Sequence, residues 1–245
     1  KKLALSDRRL LWQFVQRLGL LRTGLCPAPR RKLVKETGST PSMRRLLVTG
    51  NAKRIVAKVV NLFASPIHIE EMLFNIDSIR EECYQRERSE PSVVLSNAGG
   101  YQSKSYYLPD KFFMNLMSEI ENVGNVFANH LGICPVKIGN FWININRKSH
   151  FNHRHEHHNC SLSGVYYVKV PPNSGLITFF HPCDKLIRRE WKSKEYTSYN
   201  SELWGFEPKE NGIFIFPSWI DHMVHPNLSD EDRISISFNL IQHDD

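Results

Sequence analysis

The sequence predicts a mainly β domain of the jelly-roll class, a sandwich or barrel of short strands buttressed by helices. Three observations carry this expectation. From Cys134 onward the chain breaks into short apolar or alternating runs. Clusters rich in Gly, Pro, Asn and Ser separate them, at residues 171–175, 208–212 and 226–230. Two longer stretches with helical spacing lie ahead of the strands. Many short strands punctuated in this way fold as a sandwich or barrel, and leading helices then cover a face of it.

Length and charge divide the chain. A total of 245 residues suits one sizeable domain with an extension. Hydrophobic residues make up 41%, enough for a core. No apolar run reaches the ~18 residues that a bilayer span needs, so no membrane partner is expected. The net charge of +7 is unevenly spread. Residues 1–58 hold fifteen Lys/Arg against two acids, a net of +13, whereas residues 59–245 hold seventeen against twenty-three, a net of −6. Residues 1–57 are therefore set apart as a basic N-terminal extension, and residues 58–245 as the globular domain. The extension is expected to lack a fold of its own, with an organelle-targeting segment and a polyanion-binding tail as the competing readings. The acidic remainder repels phosphate, which argues against nucleic acid as a partner. Five scattered cysteines without a Cys-x-x-Cys pair predict reduced thiols, hence an intracellular, cytoplasmic setting. The oligomeric state leaves no mark on the sequence.

Element by element, residues 59–69 read as a strand interrupted at Pro66. Residues 72–88 read as a helix, with Leu73, Ile76 and Ile79 at helical spacing. Residues 96–103 read as a loop, because Gly99 and Gly100 supply unusual backbone angles. A longer helix is expected from Pro109 to about Leu131, with Phe112, Phe113, Leu116, Ile120, Val123 and Phe127 on a core-facing side. Strands follow at 136–146, 163–170, 176–180, 196–206, 212–216, 222–224 and 233–240.

The chemistry-bearing stretch is Asn152-His153-Arg154-His155-Glu156-His157-His158. Four of the eleven histidines fall within six residues. In strand geometry His153, His155 and His157 share a face, opposite Arg154, Glu156 and His158. Two same-face imidazoles one residue apart can share a metal ion, so the pairs His153/His155 and His155/His157 both qualify. A third ligand must come from a distant segment, and His222 is the best placed. The run Arg233-Ile234-Ser235-Ile236-Ser237-Phe238-Asn239-Leu240 alternates strictly, with Arg233 and Ser235 on its polar face. If this run lies beside the His222 strand in an antiparallel barrel, Arg233 points inward near the metal. Its planar fork suits a carboxylate, and the Ser235 hydroxyl adds a hydrogen bond. Trp142, Asn144 and Asn146 share a face of an earlier strand, and an inward Asn144 could bond a small ligand beside the metal. The structural alternatives are an ordinary ion pair for Arg233, backbone bonding for Asn144, and core packing for Trp142, Tyr166, Tyr167, Trp204 and Trp219.

Five segments together, at residues 96–103, 142–147, 155–168, 216–224 and 233–239, resemble the 2-oxoglutarate/Fe(II)-dependent oxygenase family. Their carriers are Ser-Asn-Ala-Gly-Gly-Tyr-Gln-Ser, Asn144-Ile-Asn-Arg147, His155-x-His157 leading to Ser163-Gly-Val-Tyr-Tyr-Val168, Phe216-Pro-Ser-Trp-x-x-His222-x-Val224, and Arg233-Ile-Ser-Ile-Ser-Phe-Asn239. The resemblance covers residues 59–242. It implies a double-stranded β-helix with mononuclear non-haem iron, and an iron- and 2-oxoglutarate-dependent dioxygenase. Such an enzyme couples oxidation of an unnamed prime substrate by O2 to release of succinate and CO2, usually as a hydroxylation. It also implies His155, His157 and His222 as the ligands, and Arg233, Ser235 and Asn144 around the 2-oxoglutarate. One departure stands out. The wider superfamily places a carboxylate two residues after the first histidine, where this chain has His157. Three neutral ligands also suit zinc, so a three-histidine dioxygenase without 2-oxoglutarate and a non-catalytic jelly-roll binding protein are carried as alternatives.

Overall fold

The computed structural model describes residues 58–183 and 193–242. From Asn61 onward the described residues cluster as one compact unit. In chain order the elements are β1 (His68–Glu71), α1 (Ile76–Ser89), β2 (Asn97–Ala98), β3 (Tyr101–Gln102), α2 (Met114–Leu131), β4 (Val136–Asn146), β5 (Phe151–His155), β6 (Leu162–Lys169), β7 (Ile177–Phe180), β8 (Leu203–Phe206), β9 (Gly212–Pro217), β10 (His222–Val224) and β11 (Arg233–Gln242). The expected basic extension, residues 1–57, lies outside the described residues.

All strand pairs are antiparallel and form two sheets. One has the order β1-β9-β6-β11-β4-β3, the other β2-β5-β10-β7-β8. This is the double-stranded β-helix. Period-two alternation sorts its side chains. From the larger sheet Ile143, Ile145, Tyr166, Val168, Ile213, Ile215, Ile236, Phe238 and Leu240 face α1 and α2 and pack with Cys83, Leu116, Met117, Ile120 and Phe127. The opposite faces contribute Val165, Tyr167, Phe214 and Phe216 to a second cluster with Ile177 and Phe179 of the smaller sheet. The space between the sheets is therefore apolar at that end and polar where β11 and β4 present Arg233, Ser235 and Asn144.

Both helices start later than the hydrophobic spacing predicts, because side chains at their N-termini set the boundary. Asn75 caps α1, its Oδ1 accepting from the Asp77 N–H at 3.2 Å. Residues before it are held extended, since the Met72 N–H donates to Asn211 O at 2.8 Å. At α2, Asp110 Oδ1 accepts from the N–H groups of Phe112 and Phe113, which makes a turn of the segment after Pro109. Phe112 consequently leaves the core stripe and is 42% exposed. Gly132, at φ 69°, closes α2.

Three strand expectations are also corrected. Of residues 59–69 only the last two join β1, and Val59, Val60 and Leu62 are exposed. Of residues 196–206 only Leu203–Phe206 is strand, because Thr197 and Asn200 bond to each other in a turn. The 96–103 loop proves to be two short strands around Gly99-Gly100. β2 pairs with β5 in one sheet and β3 with β4 in the other, so the glycines form the bend between sheets. A Cβ on Gly100 would come within 2.5 Å of Asn146 Oδ1.

Cys83, Cys160 and Cys183 are free thiols. No helix among the described residues is long and apolar enough to cross a membrane.

Candidate metal and cosubstrate site

Two adjacent strands bring the distant histidines together. β5 and β10 pair so that His155 and His222 are direct cross-strand partners, with a bulge on the way to the Val224–Asn152 pair. Strand β5 ends at His155, so the expected strand alternation does not itself carry His157 into place. His157 follows in an irregular segment whose own N–H donates to Ser218 O at 3.0 Å. The three imidazoles nonetheless converge. One nitrogen from each of His155, His157 and His222 lies within 4.8 Å of the others. Of the two pairs considered, His155/His157 is the one that lies in this cluster. His153 is exposed and packs edge-on to Phe151. Glu156 is exposed and faces His158 at 3.8 Å. Neither joins the cluster.

Two of the three rings are fixed in one tautomer. His155 Nδ1 lies 2.6 Å from His153 O, and His222 Nδ1 lies 3.1 Å from Ile220 O. A carbonyl can only accept, so both Nδ1 atoms carry the proton and both Nε2 atoms keep a lone pair. Burial, reinforced by the neighbouring imidazoles, pushes His157 and His222 down to about 3, and burial also lowers His155. All three are therefore neutral at physiological pH, the state in which imidazole binds metal.

Across the pocket lies Arg233, 2% exposed. β11 is a central strand between β6 and β4, so its polar face meets the interior of the β-helix. The Arg233 Nη1 donates to Ser174 O and to His225 O. Its buried Nη2 has no protein partner. Burial depresses the guanidinium, with the Tyr167 phenol opposing that shift. Ser235 stands opposite both Asn144 of β4 and Tyr167 of β6 in the sheet register. Asn144 donates to Ser237 Oγ at 3.0 Å, and its buried Oδ1 is unpartnered.

Tyr167 is the site residue that sequence reasoning left in the core. Its hydroxyl is buried without an acceptor and lines the same pocket as Arg233. Burial raises its pKa to about 12, so it is a neutral donor. The usable signal was its register: it alternates with Val165 and Ser163 on the inward face of β6. The pocket also includes Trp142, Asn152, Val165, Ile177, Phe216 and Val224, and none of its described lining residues is acidic.

Residues 140–239, from β4 into β11, match the family described as "Putative 2OG-Fe(II) oxygenase". That segment is similar to a 2-oxoglutarate/Fe(II) oxygenase domain. The match contains every one of the six residues singled out above. No curated protein sequence matches the chain. Solved structures agree in fold. A Pseudomonas putida prolyl-4-hydroxylase superposes with TM-score 0.53 at 13% identity, over 73% of this chain and 94% of that one. The 2-oxoglutarate-dependent epimerase SnoN of nogalamycin biosynthesis gives 0.54 at 13% identity, over 73% and 79%. A prolyl hydroxylase from Trichoplax adhaerens, solved with a hypoxia inducible factor peptide fragment, gives 0.53 at 11% identity, over 72% and 83%.

The family that this segment resembles is described by its use of Fe(II) and 2-oxoglutarate. The residues present fit both groups. Three neutral nitrogens converge at one end of the pocket, and a buried cation with a free N–H waits in the same pocket for an anion.

Proposed function

We propose that this oxygenase binds Fe(II) through His155, His157 and His222, holds the distal carboxylate of 2-oxoglutarate on Arg233, and hydroxylates a C–H bond of its prime substrate. One observation carries the reading. A buried guanidinium with no carboxylate partner shares a pocket with three convergent imidazoles. An unpaired charge in a protein interior is costly, and an anionic ligand relieves that cost.

Bound iron with 2-oxoglutarate supplies the oxidising chemistry, in which cosubstrate decarboxylation to succinate accompanies oxidation of the substrate. The chain's own residues prepare the ground for it. The His153 and Ile220 carbonyls hold His155 and His222 with Nε2 directed at the ion. The Ser174 and His225 carbonyls hold Arg233 rigid, so its remaining N–H groups meet a carboxylate without reorganisation. Tyr167 and Ser235 add hydroxyl donors beside it, and Asn144 lies at hydrogen-bonding reach of Ser237 on the same wall. Val165, Ile177, Phe216 and Val224 keep water from the reacting end.

The all-histidine ligand set lacks the negative charge of a 2-His-1-carboxylate site. Weaker Fe(II) binding than in carboxylate-bearing relatives follows. The decisive experiment is anaerobic titration with Fe(II) and 2-oxoglutarate, followed by admission of O2 and measurement of succinate. Binding of both without any O2-dependent succinate, across candidate substrates and in the uncoupled reaction, would leave a binding protein in place of an enzyme.

The activity is assigned to the domain starting near residue 58, with the basic extension as a separate segment. Three free thiols among the described residues support an intracellular setting, and cell fractionation tests it.

A further inference from the structure

The three imidazoles are not held alike. His155 and His222 each donate Nδ1–H to a carbonyl within two residues. The His157 ring makes no hydrogen bond among the described residues. It also lies beyond the end of β5, on a backbone anchored to Ser218 O. What surrounds it is three ring contacts, one of them edge-on with His155 at a centroid distance of 5.1 Å. Another is His222, stacked nearly parallel at 13° with centroids 5.2 Å apart. The third is Trp142, with centroids 5.6 Å apart and planes at 35°. Trp142 belongs to β4 in the larger sheet and is paired with Ser237 of β11, so it reaches across from the opposite sheet.

We propose that Trp142 is the positioning residue for His157, substituting an indole face for the hydrogen bond that the other two ligands have. The inference rests on the three-histidine reading of the site. An imidazole free at both nitrogens can rotate about its side-chain torsions, and the ion then recruits it only after losing that freedom. An aromatic wall restricts rotation without consuming either nitrogen, so the tautomer with its lone pair toward the ion stays available. It follows that His157 is the most easily displaced of the three ligands and that its contribution to metal affinity runs through Trp142. The same arrangement explains why a half-buried tryptophan stands on the polar face of β4, in alternation with Asn144 and Asn146.

A double-mutant cycle on the full chain tests this, with metal affinity as the readout. Ni(II) alone is used beside anaerobic Fe(II), because it binds nitrogen sites more tightly and keeps weakened variants measurable. Affinity is read by competition with a chromophoric chelator. Loss of an orienting partner typically costs metal affinity on the order of tenfold. Trp142→Ala is expected to weaken binding by about that factor in the wild-type background and to have no further effect in a His157→Ala background. Trp142→Phe is expected to restore most of the affinity. Trp142→Leu fills volume without offering a ring face, serves where Trp142→Ala is poorly folded, and is expected to behave as Ala does. The same loss in both backgrounds, or no loss in either, overturns the proposal. Undiminished binding by His157→Ala overturns the ligand assignment itself, a distinct result. Circular dichroism of each metal-free variant confirms that the fold is unchanged.

Discussion

His155 and His222 sit directly opposite each other on β5 and β10, and their ring centroids are 4.4 Å apart. The ladder itself thus sets the distance between two candidate ligands, and no loop has to close to form that half of the site. Replacing either ring should remove metal without disturbing the larger sheet. His222→Ala is expected to lose tight Fe(II) binding and O2-dependent succinate formation together, while its far-ultraviolet circular dichroism stays that of wild type. Metal retention at wild-type affinity would refute the assignment.

On the proposed reading, Arg233 should separate cosubstrate binding from metal binding. Its carbonyl partners belong to Ser174 and His225, neither of them one of the three candidate ligands, so Arg233→Ala should keep Fe(II) and lose 2-oxoglutarate. Arg233→Lys keeps a charge but not the planar fork. Its KM for 2-oxoglutarate should rise by about tenfold, the size of one charge-assisted hydrogen bond. Saturation kinetics with each variant measures this.

Tyr167 carries a hydroxyl with no protein partner, so removing it breaks nothing in the free enzyme. Tyr167→Phe should leave thermal stability at or above wild type and raise KM for 2-oxoglutarate by about fivefold, a neutral hydrogen bond's worth. Lower stability with unchanged KM would return Tyr167 to a core role.

The metal-free protein should weaken in mild acid. His157 and His222, at about 3, titrate below the ordinary histidine value of 6.5, and His155 is lowered as well. The unfolded chain therefore takes up protons first as the pH falls. Stability from keeping these rings neutral is present above 6.5 and is lost between 6.5 and about 3. Urea midpoints at pH 7.5 and 5.5 should differ more for wild type than for a His157→Asn/His222→Asn variant.

Gly164 marks the tightest approach in the larger sheet. A Cβ there would lie 2.3 Å from Phe238 Cζ and 2.6 Å from Phe214 O, and the second of these is backbone in the paired strand β9. Gly164→Ala should lower stability by about 3 kcal/mol, measurable by thermal unfolding.

The alternating run at 233–240 and the short strands around it made the class of fold readable before any coordinates, and the histidine cluster at 153–158 pointed to where a candidate site would form. Strand β4 was legible to the residue, because its apolar and polar positions alternate over a long stretch. Boundaries failed where side chains competed with hydrophobic spacing, as Asn75, Asp110 and Thr197 do. Tyr167 was missed for a related reason: an aromatic residue in a strand looks the same whether its hydroxyl finds a partner or not.

By itself the sequence determined which residue types could meet and which face of each strand they occupy, since a two-residue period is local information. Only the tertiary structure decided that β11 is central and not an edge, that His157 completes the cluster from beyond its strand, and that Glu156 and His153 stay outside. Those outcomes depend on which strands pair and in what register, and pairing is settled by contacts between segments far apart along the chain.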